Sequence, residues 1–290
     1  MFLNIYRWIY IELSMIGKYH SKITSSGLSE KLNQEALSYV TKGNLDSDKA
    51  PRKSTKDYTD GYNIDAQHSN NTTLAETSAF LQDSTKIVVD DFIEALNSTN
   101  NKEELYQQAF YDFGRLTHSI QDFYSHTNWI NQTDGEIIPW NEDSEEINLD
   151  NPENLTMTKY NQFSQFLEKI NPIHKWLVSF SYDAYYNKGN KDFSHYTINK
   201  DKENTIADSL YKDNNNGKSA FELANKTATA HTEQKWKEVT SELQSNLNDK
   251  DYFKLLEEID SFNSDIKYYD ENYLNFRKNF NKDMKELNDN

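Results

Sequence analysis

The chain has 290 residues and no cysteine, and its 31 Lys and Arg against 47 Asp and Glu give a formal net charge of −16. The acidic balance argues against a nonspecific nucleic-acid binder, which needs a basic surface. The missing thiols exclude disulfides, thiolate zinc sites and cysteine nucleophiles. With only 8 Gly and 4 Pro, a many-turned β-sandwich or barrel is disfavoured, and the length allows one or two domains.

The N-terminal stretch MFLNIYRWIYIELSMIG is rich in apolar residues but is interrupted by Arg7 and Glu12. No small-residue cleavage site of the kind found in secretion signals follows it. We interpret it as an amphipathic first helix, with a truncated or atypical secretion signal as the alternative. No run approaches about 18 apolar residues, so the sequence predicts no membrane-spanning helix.

Apolar residues recur at three- and four-residue steps along most of the chain, which is the period of an amphipathic helix. Helices are predicted over residues 27–42, 74–97, 102–130, 155–188 (as one or two helices) and 218–248. Polar loops are predicted over residues 44–73, 131–154 and 189–217. We expect residues 1–248 to form one domain and residues 249–290 to form a C-terminal helical extension packed on it. The predicted fold class is all-α, a multi-helix bundle of about eight to ten helices.

The most informative segment is the helix predicted over residues 102–130. His118, Asp122 and His126 are four residues apart, and each step turns only about 40° around a helix, so the three side chains share one face. Two imidazoles and a carboxylate are natural ligands for zinc. The opposite face carries an apolar stripe of Phe113, Leu116, Ile120 and Phe123. We therefore expect a central helix packed on one side and facing a metal-binding cleft on the other; the alternative is a solvated polar face.

The run LTHSIQDFYSHTNWI, residues 116–130, resembles the signature of the zinc-dependent phospholipase C superfamily. It is most similar to the branch of the fungal heterokaryon-incompatibility C (Het-C) proteins, whose motif is roughly L-H-x-x-Q-D-F-Y-S-H-S-N-W. The secreted bacterial phospholipases C have the spacing H-x3-D-x5-H, whereas this chain has H-x3-D-x3-H. The resemblance implies an all-α bundle built around a His/Asp/Glu metal cluster.

Two further segments look like ligand-bearing elements of that superfamily. The first, YHSKIT at residues 19–24, is similar to its H-x-x-I-T element and implies His20 as a ligand. The second, residues 57–68, resembles its D…H-F-D-A-E element and implies Asp65 as a ligand, with His68 nearby replacing the family histidine that is Asn63 here. Asp57 or Asp60 would be the upstream carboxylate. By themselves, these segments would be interpreted as a surface histidine and a solvated acidic loop.

The resemblance is thinner downstream. FSHYTINKD, residues 193–201, is similar to a family H-G-x…G-I-N-K-D element and makes His195 a candidate ligand or positioning residue. In the helix that follows, Lys218 stands where the family has a histidine, and Glu222 fits the acidic ligand. His231 lies nine residues beyond Glu222, about half a turn around the helix, so both cannot face one cleft. We favour Glu222.

The resemblance implies zinc-dependent hydrolysis of a phospholipid phosphodiester with two or three zinc ions, and Asp65, Asp60 or Asp57 as the catalytic base. The implied partners are a phospholipid substrate and a membrane surface contacted peripherally, with no stable nucleic-acid complex. Secretion is also implied, although no clear signal peptide is present. Two alternatives stay open. One is a zinc-dependent single-strand nuclease, which the net charge of −16 disfavours; the other is a metal-stabilised, non-enzymatic Het-C-like interaction protein, which the substitutions at Asn63 and Lys218 favour.

Overall fold

The computed structural model describes residues 17–48, 67–69, 74–133, 135–141, 200, 203, 208, 211–212 and 217–262. This part of the chain is helical and contains no β-strand, which confirms the predicted all-α multi-helix bundle. Residues 17–28 are helical, and the later helices are α1 (Gln34–Asp46), α2 (Leu74–Asn97), α3 (Lys102–His126), α4 (Ala220–Asn246) and α5 (Asp249–Asp260). A short 3-10 helix, Trp129–Gln132, follows α3.

Most predicted helix bounds are close to the observed ones, but the helix predicted over residues 27–42 is wrong. The chain turns at residues 29–33, and α1 starts afterwards because the Asn33 side chain caps it by accepting the Ala36 N–H at 2.9 Å. The Asn33 amide also donates to the carbonyl oxygens of Asp260 and Phe262, both at 2.9 Å. This tertiary contact with the end of α5 fixes the break, and the apolar periodicity does not reveal it.

Several other predictions concern residues outside the described part of the chain. They are the amphipathic first helix before residue 17, the one or two helices of residues 155–188, and the part of the C-terminal helical extension after residue 262. Helix α5 is the described part of that extension; its N-terminus is capped by Asn248, whose side chain accepts the Asp251 N–H. In the described part of the chain, no helix is both long and apolar enough to span a bilayer.

The chain forms two compact units. The first comprises Met1–Ser54, Asp83–His118 and Thr232–Asn290, and the second comprises Thr55–Gln82 and Ser119–His231. The unit boundaries fall inside helices α2, α3 and α4, so each of these helices is a continuous element with residues in both.

The core of the first unit is aromatic. Phe92 meets Phe110 edge to face at 5.2 Å between ring centroids, and Phe113 meets Trp236 in the same way at 5.1 Å. Phe262 closes the cluster against Phe110 at 5.0 Å. Pairs of this geometry contribute roughly 0.5–1.5 kcal/mol each beyond the apolar area they bury. The cluster joins α2, α3, α4 and the residues after α5.

Two glycines allow α1 and α3 to cross at close range within the first unit. A Cβ on Gly43 would overlap the carbonyl oxygen of Tyr111, and a Cβ on Gly114 would overlap that of Val40. No larger side chain fits either position without moving a backbone. Beside this contact, the buried Asn44 amide donates to the Thr117 hydroxyl at 3.0 Å. The packing of α1 on α3 thus fixes the chain immediately before His118.

The second unit is built around the C-terminal part of α3. Phe123 stacks on Trp140 with ring centroids 4.3 Å apart. The Tyr124 hydroxyl lies 2.7 Å from Nδ1 of His231 and accepts the Trp140 N–H at 2.8 Å. Asp208, fully buried, accepts hydrogen bonds from the Ser219 hydroxyl and the Phe221 N–H at the start of α4. The Tyr124 and Phe123 contacts attach Trp140 and His231 of α4 to α3, and the Asp208 contacts hold the start of α4.

Candidate metal centre

Both faces of α3 are covered by protein. The stripe opposite the histidines is completely buried, at Phe113, Leu116, Ile120 and Phe123. On the other face His118 is 0 % exposed, Asp122 3 % and His126 6 %. The alternative of a solvated polar face is therefore wrong. Because buried polar and charged groups are unfavourable unless paired, these three side chains need partners.

His118 finds its partners within the first unit. The ring of His20, from the helical residues 17–28, stacks on the His118 ring with centroids 4.5 Å apart and an angle of 21° between the planes. His20 is itself buried. On the other side, Asp48 brings Oδ1 to 3.6 Å from Nε2 of His118. The family resemblance implied that His20 would lie close to this face, and the structure places it there.

The partners of Asp122 and His126 lie within the second unit, on the short turn of residues 67–69. Nδ1 of His68 lies 2.8 Å from Oδ2 of Asp122, and Nδ1 of His126 lies 2.8 Å from the His68 carbonyl oxygen. A carbonyl only accepts, so His126 donates through Nδ1. The buried Ser69 has φ 49°, a left-handed conformation that is uncommon for serine and marks a sharply held turn.

These side chains form two triads of possible metal ligands that share His118. His20, His118 and Asp122 offer one ligand atom each within 4.8 Å of one another, and Asp48, His68 and His118 do the same. We call them the buried triad and the open triad, because all members of the first are buried whereas Asp48 is exposed and His68 half-buried. The described chain therefore contains His and Asp groups geometrically able to bind a metal ion.

The donor set suits zinc. Imidazole nitrogens and carboxylate oxygens are its usual non-thiolate ligands, and three protein ligands leave a fourth position open for water or substrate. The His68–Asp122 contact also fits a metal site, since a ligating histidine usually donates its second ring N–H to a carboxylate. In this arrangement Nε2 is the His68 atom that would bind a metal ion.

The other predicted site residues lie either outside the described part of the chain or outside the two triads. Asp57, Asp60, Asp65 and His195 lie outside the described residues. His126 contacts the turn that carries His68 but belongs to neither triad.

The predicted ligand on α4 is also in neither triad. Glu222 is exposed in the first turn of that helix. His231, the less favoured candidate, is buried and hydrogen-bonded to Tyr124. Lys218 is exposed near Gly135. Glu222 is exposed and His231 is buried, which agrees with the expectation that the two residues do not face one cleft.

Asp48 is the residue that sequence reasoning missed. It lies in the stretch predicted as a polar loop, among other acidic and amide side chains, and belongs to none of the motif elements. Its position beside His118 follows from the glycine contact that holds the end of α1 against α3. The one signal in the sequence near Asp48 is its position just beyond the end of α1. The direction of that helix determines where the next residues lie.

Comparison with known proteins gives one partial match. A family model described as the VWA7 N-terminal domain matches residues 32–155, which is less than half of the chain. The matched segment contains Asp48, His68, His118 and Asp122 but not His20. No curated protein and no solved structure matches the chain.

Proposed function

We propose that this protein is a zinc-dependent hydrolase that cleaves phosphodiester bonds in phospholipids, as a phospholipase C does. The observation that carries the proposal is the pair of triads that share His118 of α3, one with all members buried and one with an exposed member. The motif of residues 116–130 supports the same activity, because it supplies both His118 and Asp122 to that pair.

Each triad suits a different task. The buried triad has the closed character of a site that stabilises a fold, whereas the open triad leaves room for a substrate. A divalent ion in the open triad would supply Lewis-acid stabilisation of the charge that develops on the phosphodiester oxygens. Asp122 holds the His68 ring in place, and Asp48 contributes the negative charge that attracts the cation to the surface.

The charge of the chain favours phospholipid over nucleic acid as the substrate. With a net charge of −16, the protein repels a polyanion but has no such effect on a zwitterionic lipid surface. A head group such as phosphocholine presents a single phosphodiester beside a cation, which an acidic surface tolerates. We therefore propose a neutral or zwitterionic phospholipid as the substrate class.

A second candidate function is a metal-stabilised interaction protein without activity. The burial of His20, His118 and Asp122 favours it, because a fully enclosed ion can hold three parts of the chain together without contacting any substrate. The replacement of a family histidine by Lys218, which is exposed, supports the same alternative.

The deciding experiment measures phosphocholine release from phosphatidylcholine vesicles with and without micromolar zinc, beside cleavage of single-stranded DNA. Wild type is compared with Asp122→Asn, and the matched control is Asp112→Asn, another buried aspartate on α3 that belongs to neither triad. We expect zinc-dependent release by wild type and Asp112→Asn, and a loss of at least about 100-fold in Asp122→Asn.

Three other outcomes would change the assignment. Equal activity in Asp122→Asn would place the chemistry elsewhere. Zinc bound at full stoichiometry with no lipid hydrolysis at any zinc concentration would favour the interaction protein. Cleavage of single-stranded DNA alone would identify a nuclease.

A further inference from the structure

We infer that Lys200 is a positioning residue for the metal centre, and that it acts by holding the C-terminal end of α3. The inference rests on the proposed metal binding and adds a residue that is a member of neither triad. Lys200 is 1 % exposed, which is unusual for a lysine, because an ammonium group is rarely buried without a specific partner.

Lys200 holds the end of α3 at two points. Its backbone N–H donates to the Ser125 carbonyl at 3.1 Å, and its Nζ donates to the Thr127 carbonyl at 2.7 Å. The last carbonyls of a helix have no donor within the helix, and the helix dipole favours a cation there. Lys200 therefore satisfies the backbone on both sides of His126, the last residue of α3.

His126 transmits this restraint to the turn that carries the open-triad histidine. Its Nδ1 donates to the His68 carbonyl at 2.8 Å, and the His68 ring is held by Asp122 at 2.8 Å. All of these residues belong to the second unit. The chain of contacts thus runs from Lys200 through the end of α3 to His68, and it does not include His20. Loss of the Lys200 side chain should loosen the open triad and spare the buried one.

The test compares Lys200→Met with Lys235→Met. Lys235 is the matched control because it is also buried, at 0 % exposure, and pairs with Glu238 on its own helix at 2.7 Å. Both substitutions remove a buried ammonium and should lower the melting temperature. Only Lys200→Met should weaken zinc binding, by about tenfold, the lower end of the range for outer-shell partners of a metal site.

Two further measurements separate positioning from general destabilisation. The visible absorption spectrum of the cobalt-substituted protein should change in Lys200→Met and stay as in wild type in Lys235→Met. Lys200→Arg, which keeps a cation at the end of α3, should recover part of the zinc affinity. This variant also provides the test if Lys200→Met does not fold.

Wild-type zinc affinity and an unchanged cobalt spectrum in the Lys200 variants would overturn the inference and leave the proposed function intact. Equal losses of affinity in Lys200→Met and Lys235→Met would also overturn it, since the effect would then be general. If wild type bound no zinc, both the proposed function and this inference would fall.

Discussion

One face of α3 is lined by phenylalanine, leucine and isoleucine, and the other by two histidines and an aspartate, yet neither face is exposed. Burying the apolar stripe is favourable by itself, at roughly 25 cal/mol for each Å² removed from water. Burying His118 and Asp122 is unfavourable unless every polar atom is satisfied. The apolar face therefore accounts for the stability of the helix, and the polar face is retained for another reason, which we propose to be metal binding.

A large loss of stability is expected where α3 crosses α1. Gly114→Ala places a Cβ against the Val40 carbonyl oxygen, so one helix must move, and we expect a loss of about 3 kcal/mol or more in the free energy of unfolding. A Cβ at Gly17 would meet only a side-chain carbon of Leu45, at 3.3 Å. The control Gly17→Ala should therefore change the free energy of unfolding by less than about 1 kcal/mol. Urea denaturation measures both. Equal stability of the two variants would contradict the close crossing.

The two faces should respond differently to zinc. Phe113→Ala leaves a cavity in the aromatic core and should destabilise by about 3–5 kcal/mol, with or without zinc. The paired substitution of His118 and His126 by Ala should abolish stoichiometric zinc binding and with it the zinc-dependent stabilisation, about 2.7 kcal/mol at a zinc concentration 100 times the Kd. Thermal unfolding in zinc and in chelator gives the comparison. Full zinc retention in the double variant would eliminate the proposed metal centre.

Asp112, the second buried carboxyl on α3 beside Asp122, gives stability a pH dependence that does not involve a metal ion. Burial, above all, and the nearby carboxylate of Asp91 raise the pKa of Asp112 to about 7, although a hydrogen bond from Gln108 and the charge of Arg115 oppose the shift. The folded protein thus binds a proton more tightly than the unfolded chain. The stability that this proton provides is complete below about pH 4 and is lost as the pH rises through 7, with a slope of up to about 1.4 kcal/mol per pH unit.

Asp112→Asn should therefore flatten the pH dependence of stability between about pH 4 and 7 and make the protein more stable than wild type at pH 8. The asparagine keeps an oxygen that accepts the Gln108 amide, which is at 2.5 Å in wild type. Urea denaturation at pH 5 and pH 8 tests this expectation. An unchanged slope in the variant would show that Asp112 is ionised throughout.

The smallest effect is expected at the N-terminal end of α3, where the polar contacts are partly exposed. Burial opposes ionisation of Glu258, but hydrogen bonds from Lys102 and Tyr106 outweigh it and lower the pKa of this carboxyl. The stability that the ionised Glu258 contributes is present above its ordinary pKa of 4.5 and is lost as the pH falls through the lowered pKa. Glu258→Gln should destabilise by about 0.5–1 kcal/mol at pH 7 and by less at pH 3, measured by urea denaturation. A loss as large as that of Gly114→Ala would mean that this edge is part of the core.

The helical period alone predicted α2, α3 and α4 to within a few residues, except at the C-terminal end of α3, because each has a long amphipathic stretch. It failed at residues 29–33, where both flanking segments are amphipathic and only the contact between Asn33 and the end of α5 decides that the helix breaks. Capping by a tertiary partner leaves no period in the sequence, so such a break is hard to predict.

For the candidate site, the four-residue spacing is enough to place His118, Asp122 and His126 on one face of one helix, since it fixes the angle between them. Which side chains face these three residues depends on tertiary packing. Asp48 reaches His118 because two glycines let α1 approach α3, and His68 reaches Asp122 through a turn held by His126. Contacts between residues far apart in the chain depend on packing, which local sequence patterns do not encode. The candidate ligands on α3 were therefore predictable, whereas those beyond α3 were predicted incompletely.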